Sequence, residues 1–396
     1  MTSRRVYLDY NATTPIKDEV KAAIIEDLNV FGNASSMHTE GRLAHERVEL
    51  ARQAVGNLIG APRESIVFTS GGSESNNTVF RTMQSLVSNA GGPAGNRTEI
   101  ITTAIEHPCV MNAASYLKSL GFSVHFLSVD EFGKINMGEL GARLSEKTLM
   151  VSVMLANNEI GTVQDIPEIS RMVKAAGAWM HTDAVQAAGK IPVNVDDLQV
   201  DYLTLSAHKI YGPKGTGALY IRKGAPLYPL IHGGHQENGL RAGTYNNTGI
   251  LGFGKAAELA LRDLAGYGQK TAFLKKMLLE GLLERIPKIK INPAQEIHPD
   301  KVLPNTLNVS FPGAEGEAIL LSMDLAGIEA STGSACASGS LDPSHVLMAI
   351  GLEPELAHGS IRFSLGLGVS EDDIKYTLET LPPIIGRLRS MSSLQI

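Results

Sequence analysis

The stretch SAHKIYGPKGTG at residues 206–217 decides both the expected fold and the expected chemistry. An apolar run at residues 202–205 predicts a buried strand that delivers Lys209 to its end. Glycines and a proline then force a tight loop before a second strand at residues 218–221. A lysine can form a Schiff base with a carbonyl group, and partial burial makes its neutral amine available. In this motif alone a solvated loop lysine is the commoner interpretation, so the rest of the chain has to decide.

Composition restricts the function classes. The chain has 396 residues, 43% hydrophobic and 19% charged, with a net charge of -6, which suggests about two domains with a large core. Basic residues are scattered, and no apolar run approaches the ~20 residues of a membrane span, so we expect no binding to nucleic acid or membrane. The start has no secretory signal pattern, and the two cysteines, Cys109 and Cys336, cannot form a disulfide framework or a metal site by themselves. The cytoplasm is the expected compartment.

Short apolar runs alternate with helical patterns over the first two thirds of the chain. Such alternation predicts an α/β fold with a mostly parallel sheet covered by helices on both faces. The last two strands are joined without a helix, so we expect one edge strand to run antiparallel. The seven predicted strands are residues 66–70, 100–104, 124–129, 149–155, 178–182, 202–205 and 218–221.

The periodicity changes near Asp263, within one or two long helices predicted over residues 250–286. Beyond it, strands at 306–311 and 360–365 are mixed with helices, which is typical of a smaller α+β unit. We therefore expect three parts: an N-terminal arm that packs with the small domain, a large cofactor-binding domain, and a small domain that carries the Cys336 loop. Their predicted bounds are residues 1–16, 17–262 and 263–396.

The predicted strand ends carry polar residues, and in doubly wound sheets ligands bind at the carboxyl ends of the strands. The first strand runs into Gly72 and Ser73 before a helix, which predicts an anion seat of backbone N–H groups; a plain capping box fits as well. His107 precedes Pro108, which can begin a helix. There it could stack on a flat ring or shuttle protons, although a structural histidine is commoner.

Two further strand ends add to this set. Asn158 could bond a ring hydroxyl or a carboxylate, or simply form a turn. Asp183 could hold a ring nitrogen protonated or serve as a helix N-cap, and Gln186 follows three residues later. Together with Lys209, these groups suit pyridoxal 5'-phosphate, whose aldehyde would bond the amine and whose ring nitrogen would pair with Asp183.

At this point the sequence resembles the cysteine desulfurases of the NifS/IscS type, which are class V aminotransferase-like enzymes of the fold-type I pyridoxal-phosphate superfamily. The resemblance extends from residue 7 to about residue 368. The motifs that carry it are YLDYNATTP (7–15), FGNASSMHTEG (31–41), VFTSGGSESNN (67–77), TAIEHPCV (103–110), NNEIGTVQDI (157–166), HTDAVQAAGK (181–190), SAHKIYGPKGTGALY (206–220), GGHQENGLRAGT (233–244), STGSACASGS (331–340) and SIRFSLG (360–366).

The resemblance implies a role for each matching residue. Lys209 would be the Schiff-base lysine, with His107 stacked on the ring and assisting proton transfer. Asp183 would pair with the ring nitrogen, and Arg362 would bind the substrate carboxylate as a bidentate fork. Gln186 would contact the ring hydroxyl, and Asn158 would contact the ring hydroxyl and the substrate carboxylate. The phosphate would be bound by Gly72, Ser73, Ser206 and His208. In a homodimer, Thr244 would contact the phosphate of the partner subunit.

The implied reaction converts L-cysteine to L-alanine. Lys209 removes the α-proton, and the Cys336 thiolate takes the sulfur as a persulfide for a protein acceptor such as an iron–sulfur scaffold protein. Cys336 lies among small and hydroxylic residues, which predicts an exposed, reactive thiol in a mobile loop, and its context matches the long-loop branch of the family. Cys109, by contrast, is predicted to be an ordinary buried cysteine.

Some features depart from the family. Ala34, Ala207 and Ala242 replace proline, glycine and serine, and all are small changes. The chain stops at Ile396 without the longer tail that housekeeping members use to dock the scaffold, so sulfur delivery to that scaffold is left open. Two rival interpretations are another class V enzyme (a selenocysteine lyase, an aminotransferase or a β-lyase) and a non-catalytic α/β binding protein.

Overall fold

The computed structural model describes residues 4–88, 96–293, 301–332 and 342–392. Its strands are Val6–Tyr7 (β1), Ile66–Thr69 (β2), Glu99–Thr103 (β3), Ser123–Leu127 (β4), Thr148–Ser152 (β5), Trp179–Asp183 (β6), Tyr202–Ser206 (β7), Gly217–Ile221 (β8), Lys290–Asn292 (β9), Thr306–Ser310 (β10), Ile328–Glu329 (β11), Ser331–Thr332 (β12) and Ser360–Ser364 (β13). Its α-helices are Asp18–Asp27 (α1), Thr39–Leu58 (α2), Gly72–Ser88 (α3), Pro108–Ser119 (α4), Met137–Arg143 (α5), Ile166–Ala175 (α6), Val195–Leu198 (α7), Asn247–Arg285 (α8), Gly316–Leu325 (α9), His345–Ala349 (α10), Pro354–His358 (α11) and Glu371–Met391 (α12).

In the described ranges, seven strands form the large sheet, in the order β2-β8-β7-β6-β5-β3-β4. Each predicted strand is present to within a few residues, and the predicted mostly parallel α/β sheet is confirmed. The strand order places the carboxyl ends of β3, β5, β6 and β7 along one edge of the sheet, because these strands run parallel to one another. Ligands collect at this edge in such sheets.

The expected antiparallel edge strand is wrong in its position. β8 is the antiparallel strand, but it lies inside the sheet, between β2 and β7. The tight loop after Lys209 turns the chain back beside β7, and the chain's earliest large-sheet strand, β2, then covers the outer side of β8. A local turn signal predicts the reversal, whereas only long-range pairing decides which strand becomes the edge.

The small sheet has the order β12-β13-β10-β9, and the N-terminal arm forms a separate two-stranded sheet with β11. β1 pairs in parallel with β11, with Val6 opposite Ile328. Apolar side chains of the arm, among them Leu8, belong to the same buried cluster as those of β10 and β13. These contacts support the predicted packing of the arm on the small domain.

Helix α8 runs without a break past Asp263 and connects the two cores. Its first half contributes Phe253 to the core beneath the large sheet, and its second half contributes Leu278 to the core of the small sheet. We propose that the division between residues 262 and 263 falls inside this continuous helix. None of the helices in the described part of the chain is long and apolar enough to cross a membrane.

Candidate active site

A cavity of about 250 Å³ opens at the carboxyl edge of the large sheet. It contains the residues that the sequence assigns to cofactor and substrate, apart from Thr244 and Cys336. Its lining consists of Asn11, Ala12, Gly72, Ser73, His107, Cys109, Met154, Asn158, Asp183, Val185, Gln186, Ser206, His208, Lys209 and Arg362.

Lys209 lies on the cavity wall at the end of a single turn of 3₁₀ helix, residues Ala207–Lys209, that follows β7 directly. Its side chain is half-buried, and its Nζ donates to the carbonyl oxygens of Asn11, at 2.6 Å, and Ala12, at 2.7 Å. The interpretation as a solvated loop lysine is therefore wrong. The arm holds the amine in place at the wall.

Asp183 is the last residue of β6 and is buried. Its Oδ1 accepts from the backbone N–H of Val185 at 2.9 Å, and its Oδ2 accepts from Nδ2 of Asn76 at 2.7 Å. A turn follows it rather than a helix, so the helix N-cap interpretation is wrong. A carboxylate held by two donors in a cavity wall suits a cationic ring N–H.

His107 is the N-cap of α4, and Pro108 is the first residue of that helix, as predicted. The Nδ1 atom of His107 accepts from the backbone N–H of Cys109 at 3.2 Å. Because Nδ1 is an acceptor, the proton of the neutral ring belongs on Nε2. Burial lowers the pKa of His107, an effect that the charge of Asp183 opposes. The histidine is thus both a structural cap and a wall of the cavity.

Cys109 departs from its predicted role as an ordinary core residue. It is half-buried and lines the cavity, with its Sγ 3.0 Å from Nδ1 of His107 and 3.1 Å from Nδ2 of Asn76. Burial, with a smaller contribution from the Asp183 charge, raises the pKa of this thiol to about 12. The thiol is therefore protonated at neutral pH, and a protonated thiol is a poor nucleophile.

One end of the cavity is arranged for an anion. Helix α3 begins at Gly72, where a Cβ would come within 3.0 Å of Cγ2 of Val185, so a glycine keeps the backbone open at this point. The capping contact before this helix comes from Glu74, whose Oε2 accepts from the backbone N–H of Ser70. Backbone N–H groups at the start of a 17-residue helix bind phosphate well.

Ser206 lies beside this helix start, because a Cβ at Gly72 would be 3.9 Å from Cβ of Ser206. His208 lines the same cavity. The Nδ1 atom of His208 is 3.1 Å from Oγ1 of Thr13 in the arm. Burial, with smaller contributions from the charges of Lys209 and two further lysines, lowers the pKa of His208 to about 4. His208 is consequently a neutral hydrogen-bonding group at physiological pH.

The cavity lining also includes a guanidinium group. Arg362 is 2% exposed and lies on β13. Its Nη2 bonds Oδ1 of Asp9 at 2.7 Å, and its Nη1 donates to the carbonyl oxygen of Asn158 at 3.2 Å. Within the described residues its buried Nε has no hydrogen-bond partner, which leaves a charged donor for a carboxylate.

Asn158 lies in a turn, as the alternative interpretation predicts, but its backbone is not in the left-handed conformation. Its neighbour Asn157 stabilises this turn, since Oδ1 of Asn157 accepts from the backbone N–H groups of Glu159 and Ile160. Asn158 is left to line the cavity.

Thr244 and Cys336 stand apart from this set. Thr244 is exposed and outside the cavity lining, so its predicted contact with a partner subunit stays a prediction. Cys336 lies outside the described residues. Among the described residues near that segment, Ser331 pairs with Arg362 across the small sheet, and Nε2 of His345 lies 2.9 Å from the carbonyl oxygen of Glu106.

Sequence reasoning missed Asn11. Its carbonyl oxygen accepts from Lys209, its Nδ2 donates to the carbonyl oxygen of Asn158 at 3.1 Å and to Oγ1 of Thr306 at 2.9 Å, and it is 1% exposed. Its motif, YLDYNATTP, is distinctive, but Asn11 lies in an arm far from the sheet in sequence. No local pattern indicates that this arm closes the cavity.

The donor set fits a flat phosphorylated aldehyde such as pyridoxal 5'-phosphate. The amine of Lys209 suits the aldehyde, the helix start at Gly72 suits the phosphate, and Asp183 suits a protonated ring nitrogen. The unpartnered Nε of Arg362 would serve a second anion, the carboxylate of an amino acid. Within the described ranges, no group of three or more His, Cys, Asp or Glu side chains could hold a metal ion.

Comparisons with known proteins agree with this arrangement. The sequence model of the Aminotransferase class-V family matches residues 6–377. The curated cysteine desulfurase IscS of Dictyoglomus turgidum is 47% identical over 390 residues, covering 98% of this chain and 96% of that protein. A solved NifS-like protein superposes with a TM-score of 0.89 at 38% identity, covering 97% and 100% of the two chains. A solved structure of SspA in complex with cysteine has a TM-score of 0.79 at 34% identity, covering 91% and 99%.

Proposed function

We propose that this chain, which belongs to the Aminotransferase class-V family, is a cysteine desulfurase. It converts L-cysteine to L-alanine and delivers the sulfur for iron–sulfur cluster or other sulfur biosynthesis. The observation that carries this function is the convergence of Lys209, Asp183, His107 and the α3 start on one cavity. That cavity also holds Arg362, as an enzyme acting on an amino acid requires.

Members of this family are pyridoxal-phosphate enzymes, and we assign this cofactor to the cavity. Lys209 would bind its aldehyde, Asp183 its ring nitrogen, and Gly72 with Ser73 its phosphate. Ser206 and His208 would complete the phosphate contacts. When bound, the cofactor supplies an electron sink for the carbon that loses a proton.

The residues of the chain then bind the substrate and transfer its protons. The guanidinium of Arg362 holds the substrate carboxylate, and Asn158 lies beside it on the cavity wall. Nζ of Lys209 takes the α-proton of the substrate and later returns a proton to the product. The His107 ring, with its proton on Nε2, covers one face of the cavity and can donate that proton.

Cys336 receives the sulfur in this scheme. Its thiolate attacks the substrate sulfur, so an S–S bond forms while the bond between the substrate sulfur and Cβ breaks with its electron pair retained by carbon. Protonation of that carbon yields L-alanine, and the enzyme keeps a persulfide for a protein acceptor. This role for Cys336 rests on the resemblance of its motif, STGSACASGS (331–340), to the family.

Incubation with L-cysteine tests the function. We expect one alanine for each sulfur transferred, and a persulfide on the protein that mass spectrometry locates at Cys336. Lys209→Ala should lose alanine formation, whereas Cys336→Ala should lose the persulfide. A Cys336→Ala variant that releases sulfur at the wild-type rate would favour a selenocysteine lyase or β-lyase instead, and a colourless protein that does not bind the cofactor would favour a non-catalytic role.

We also propose a homodimer in the cytoplasm. Phe31 is 82% exposed and Met37 is 90% exposed in the segment between α1 and α2, with Ile25 and Leu28 exposed nearby. Contiguous apolar side chains on a surface commonly mark a protein interface. A second copy of this chain is the occupant we assign, which would bring Thr244 toward the partner's phosphate.

A further inference from the structure

A buried lysine that the proposed reaction does not use lies behind the cavity wall. Lys190 is 3% exposed, and lysine is almost never fully buried without a partner. Its Nζ donates to Oε1 of Gln186 at 2.6 Å and to Oδ1 of Asn11 at 2.8 Å. Among the described residues, no carboxylate forms an ion pair with it, so its partners are two neutral amides.

These two bonds determine how both amides are turned. A lysine amine donates hydrogen bonds, so the side-chain oxygens of Gln186 and Asn11 must face it. The Asn11 amide agrees, because its Oδ1 also accepts from Asn305 while its Nδ2 donates to other groups. The Gln186 amide then presents Nε2 on its opposite side, where one N–H bonds the carbonyl oxygen of Asn11 at 2.9 Å.

The hydrogen bond from Lys190 determines which side of the Gln186 amide is available to a group bound in the cavity. Gln186 lines the cavity, its oxygen is committed to Lys190, and only a donor is available to a bound group. A flipped amide would present its oxygen instead, which would repel any electron-rich oxygen of the ligand. Asparagine and glutamine amides can flip unless neighbours fix them. Here the fixing neighbours are Lys190, which donates to Oε1, and the carbonyl oxygen of Asn11, which accepts from Nε2.

We propose that Lys190 is a positioning residue that locks the Gln186 amide so that it offers an N–H donor to the ring oxygen of the cofactor. This inference rests on the proposed function, since it needs pyridoxal phosphate in the cavity. Burial lowers the pKa of Lys190 well below its ordinary value, and the charges of Lys209 and Arg362 lower it further.

The lock has a chemical consequence at the lysine–cofactor linkage. With the cofactor bound through Lys209, the ring oxygen would carry negative charge and would share the proton of the linkage nitrogen. A donor on that oxygen stabilises the negative charge, and therefore favours loss of the shared proton at lower pH. Without the lock, the linkage should hold its proton to higher pH.

A pH titration of the visible absorption of the cofactor-loaded protein measures this directly. We expect Lys190→Met to raise the midpoint by about one pH unit relative to the wild type. The matched control is Lys275→Met, which removes another poorly exposed lysine, bonded to the carbonyl oxygen of Leu303 and outside the cavity lining. Its midpoint should equal that of the wild type.

A double-variant comparison tests whether Lys190 acts through Gln186. Gln186→Leu alone should raise the midpoint, and adding Lys190→Met to it should produce no further shift. If Lys190→Met shifts the midpoint equally in both backgrounds, Lys190 acts as a charge and the lock is wrong. An unchanged midpoint in Lys190→Met alone would also overturn it.

Two further results keep the test interpretable. Lys190→Gln retains N–H donors and should give a midpoint between those of the wild type and Lys190→Met. Should Lys190→Met not fold, a Gln186→Leu midpoint identical to that of the wild type would refute the proposal, because the amide would then donate nothing to the ring oxygen. If the wild type shows no lysine-dependent visible band with added pyridoxal phosphate, the proposed function fails rather than the inference about the amide.

Discussion

At the scale of single residues, the site depends on groups that hold the reactive side chains. The Asp183 carboxylate receives one hydrogen bond from a backbone N–H and one from Asn76, at 2.9 and 2.7 Å. Asn76 is buried on α3, the same helix that begins the anion seat. The helix that would bind the phosphate therefore also fixes the partner of the ring nitrogen.

Asn76→Ala should lower kcat by roughly tenfold, which corresponds to about 1.4 kcal/mol of transition-state stabilisation. Asp183 would lose a charge-assisted hydrogen bond and its fixed orientation. Steady-state measurement of alanine release gives the result. The control is Asn77→Ala on the same helix, since Nδ2 of Asn77 donates only to the carbonyl oxygen of Ser73; equal losses in both variants would contradict the assignment.

Buried carboxyl groups beside the site predict a pH dependence of stability. Burial raises the pKa of Glu106 to about 8 from an ordinary value of 4.5. Its protonated form is the one compatible with the fold, so its contribution is complete below about pH 4.5 and is lost as the pH rises through 8.

Glu106→Gln should remove this contribution, because glutamine does not ionise. Between pH 5 and 8 we expect the free energy of unfolding of the wild type to fall more steeply with pH than that of the variant, by up to about 1.4 kcal/mol per pH unit. Urea unfolding at several pH values measures the two slopes. Glu280→Gln, at an exposed position on α8, serves as control and should keep the wild-type slope.

At the scale of elements, a glycine allows the long helix α8 to pack closely against α2. α8 packs along α2, and a Cβ at Gly254 would lie 2.5 Å from Cα of Ala51. Backbone atoms cannot move aside as a flexible side chain can, so this close approach requires glycine. The helix pair positions the first half of α8 beneath the large sheet.

Gly254→Ala should therefore reduce the free energy of unfolding by about 1–3 kcal/mol through overpacking. Gly266→Ala provides the matched control on the same helix, where a Cβ meets nothing within 4 Å. There the higher helix propensity of alanine should stabilise by up to about 1 kcal/mol. Urea unfolding compares the two, and a Gly254→Ala protein as stable as the wild type would show that α2 and α8 can move apart without cost.

At the scale of the whole molecule, the N-terminal arm connects the two cores at the cavity. Asn11 bonds Lys209 and Lys190 from the large sheet side and Asn305 and Thr306 from the small sheet side. The relative placement of Lys209 and Arg362, which belong to different sheets, is thus stabilised by a third segment of the chain.

The exposed apolar segment between α1 and α2 predicts the oligomeric state. Replacing Phe31 and Met37 together with aspartate should convert the dimer to a monomer, because charges would be buried at the interface. Sedimentation equilibrium gives the mass in solution. Leu325→Asp, at an 89% exposed position on α9, should remain dimeric; a wild-type protein that sediments as a monomer would contradict the proposed homodimer.

The sequence by itself determined the seven large-sheet strands, the parallel character of most of them, and the strand-end residues Asp183, His107 and Lys209. These features follow from periodicity and from residues adjacent in the chain, which local rules and family motifs both capture. Motifs also supplied Arg362, although nothing in its own strand indicates that it faces the cavity.

Only the tertiary structure decided which groups surround those residues. Asn11 reaches the cavity from an arm about 200 residues away from Lys209. Cys109 lines the cavity as well as packing against the core. Lys190 lies buried behind Gln186, and β8 lies inside the sheet rather than at its edge. Each outcome depends on contacts between distant segments, and a buried polar group reveals its role only when its hydrogen-bond partners are known.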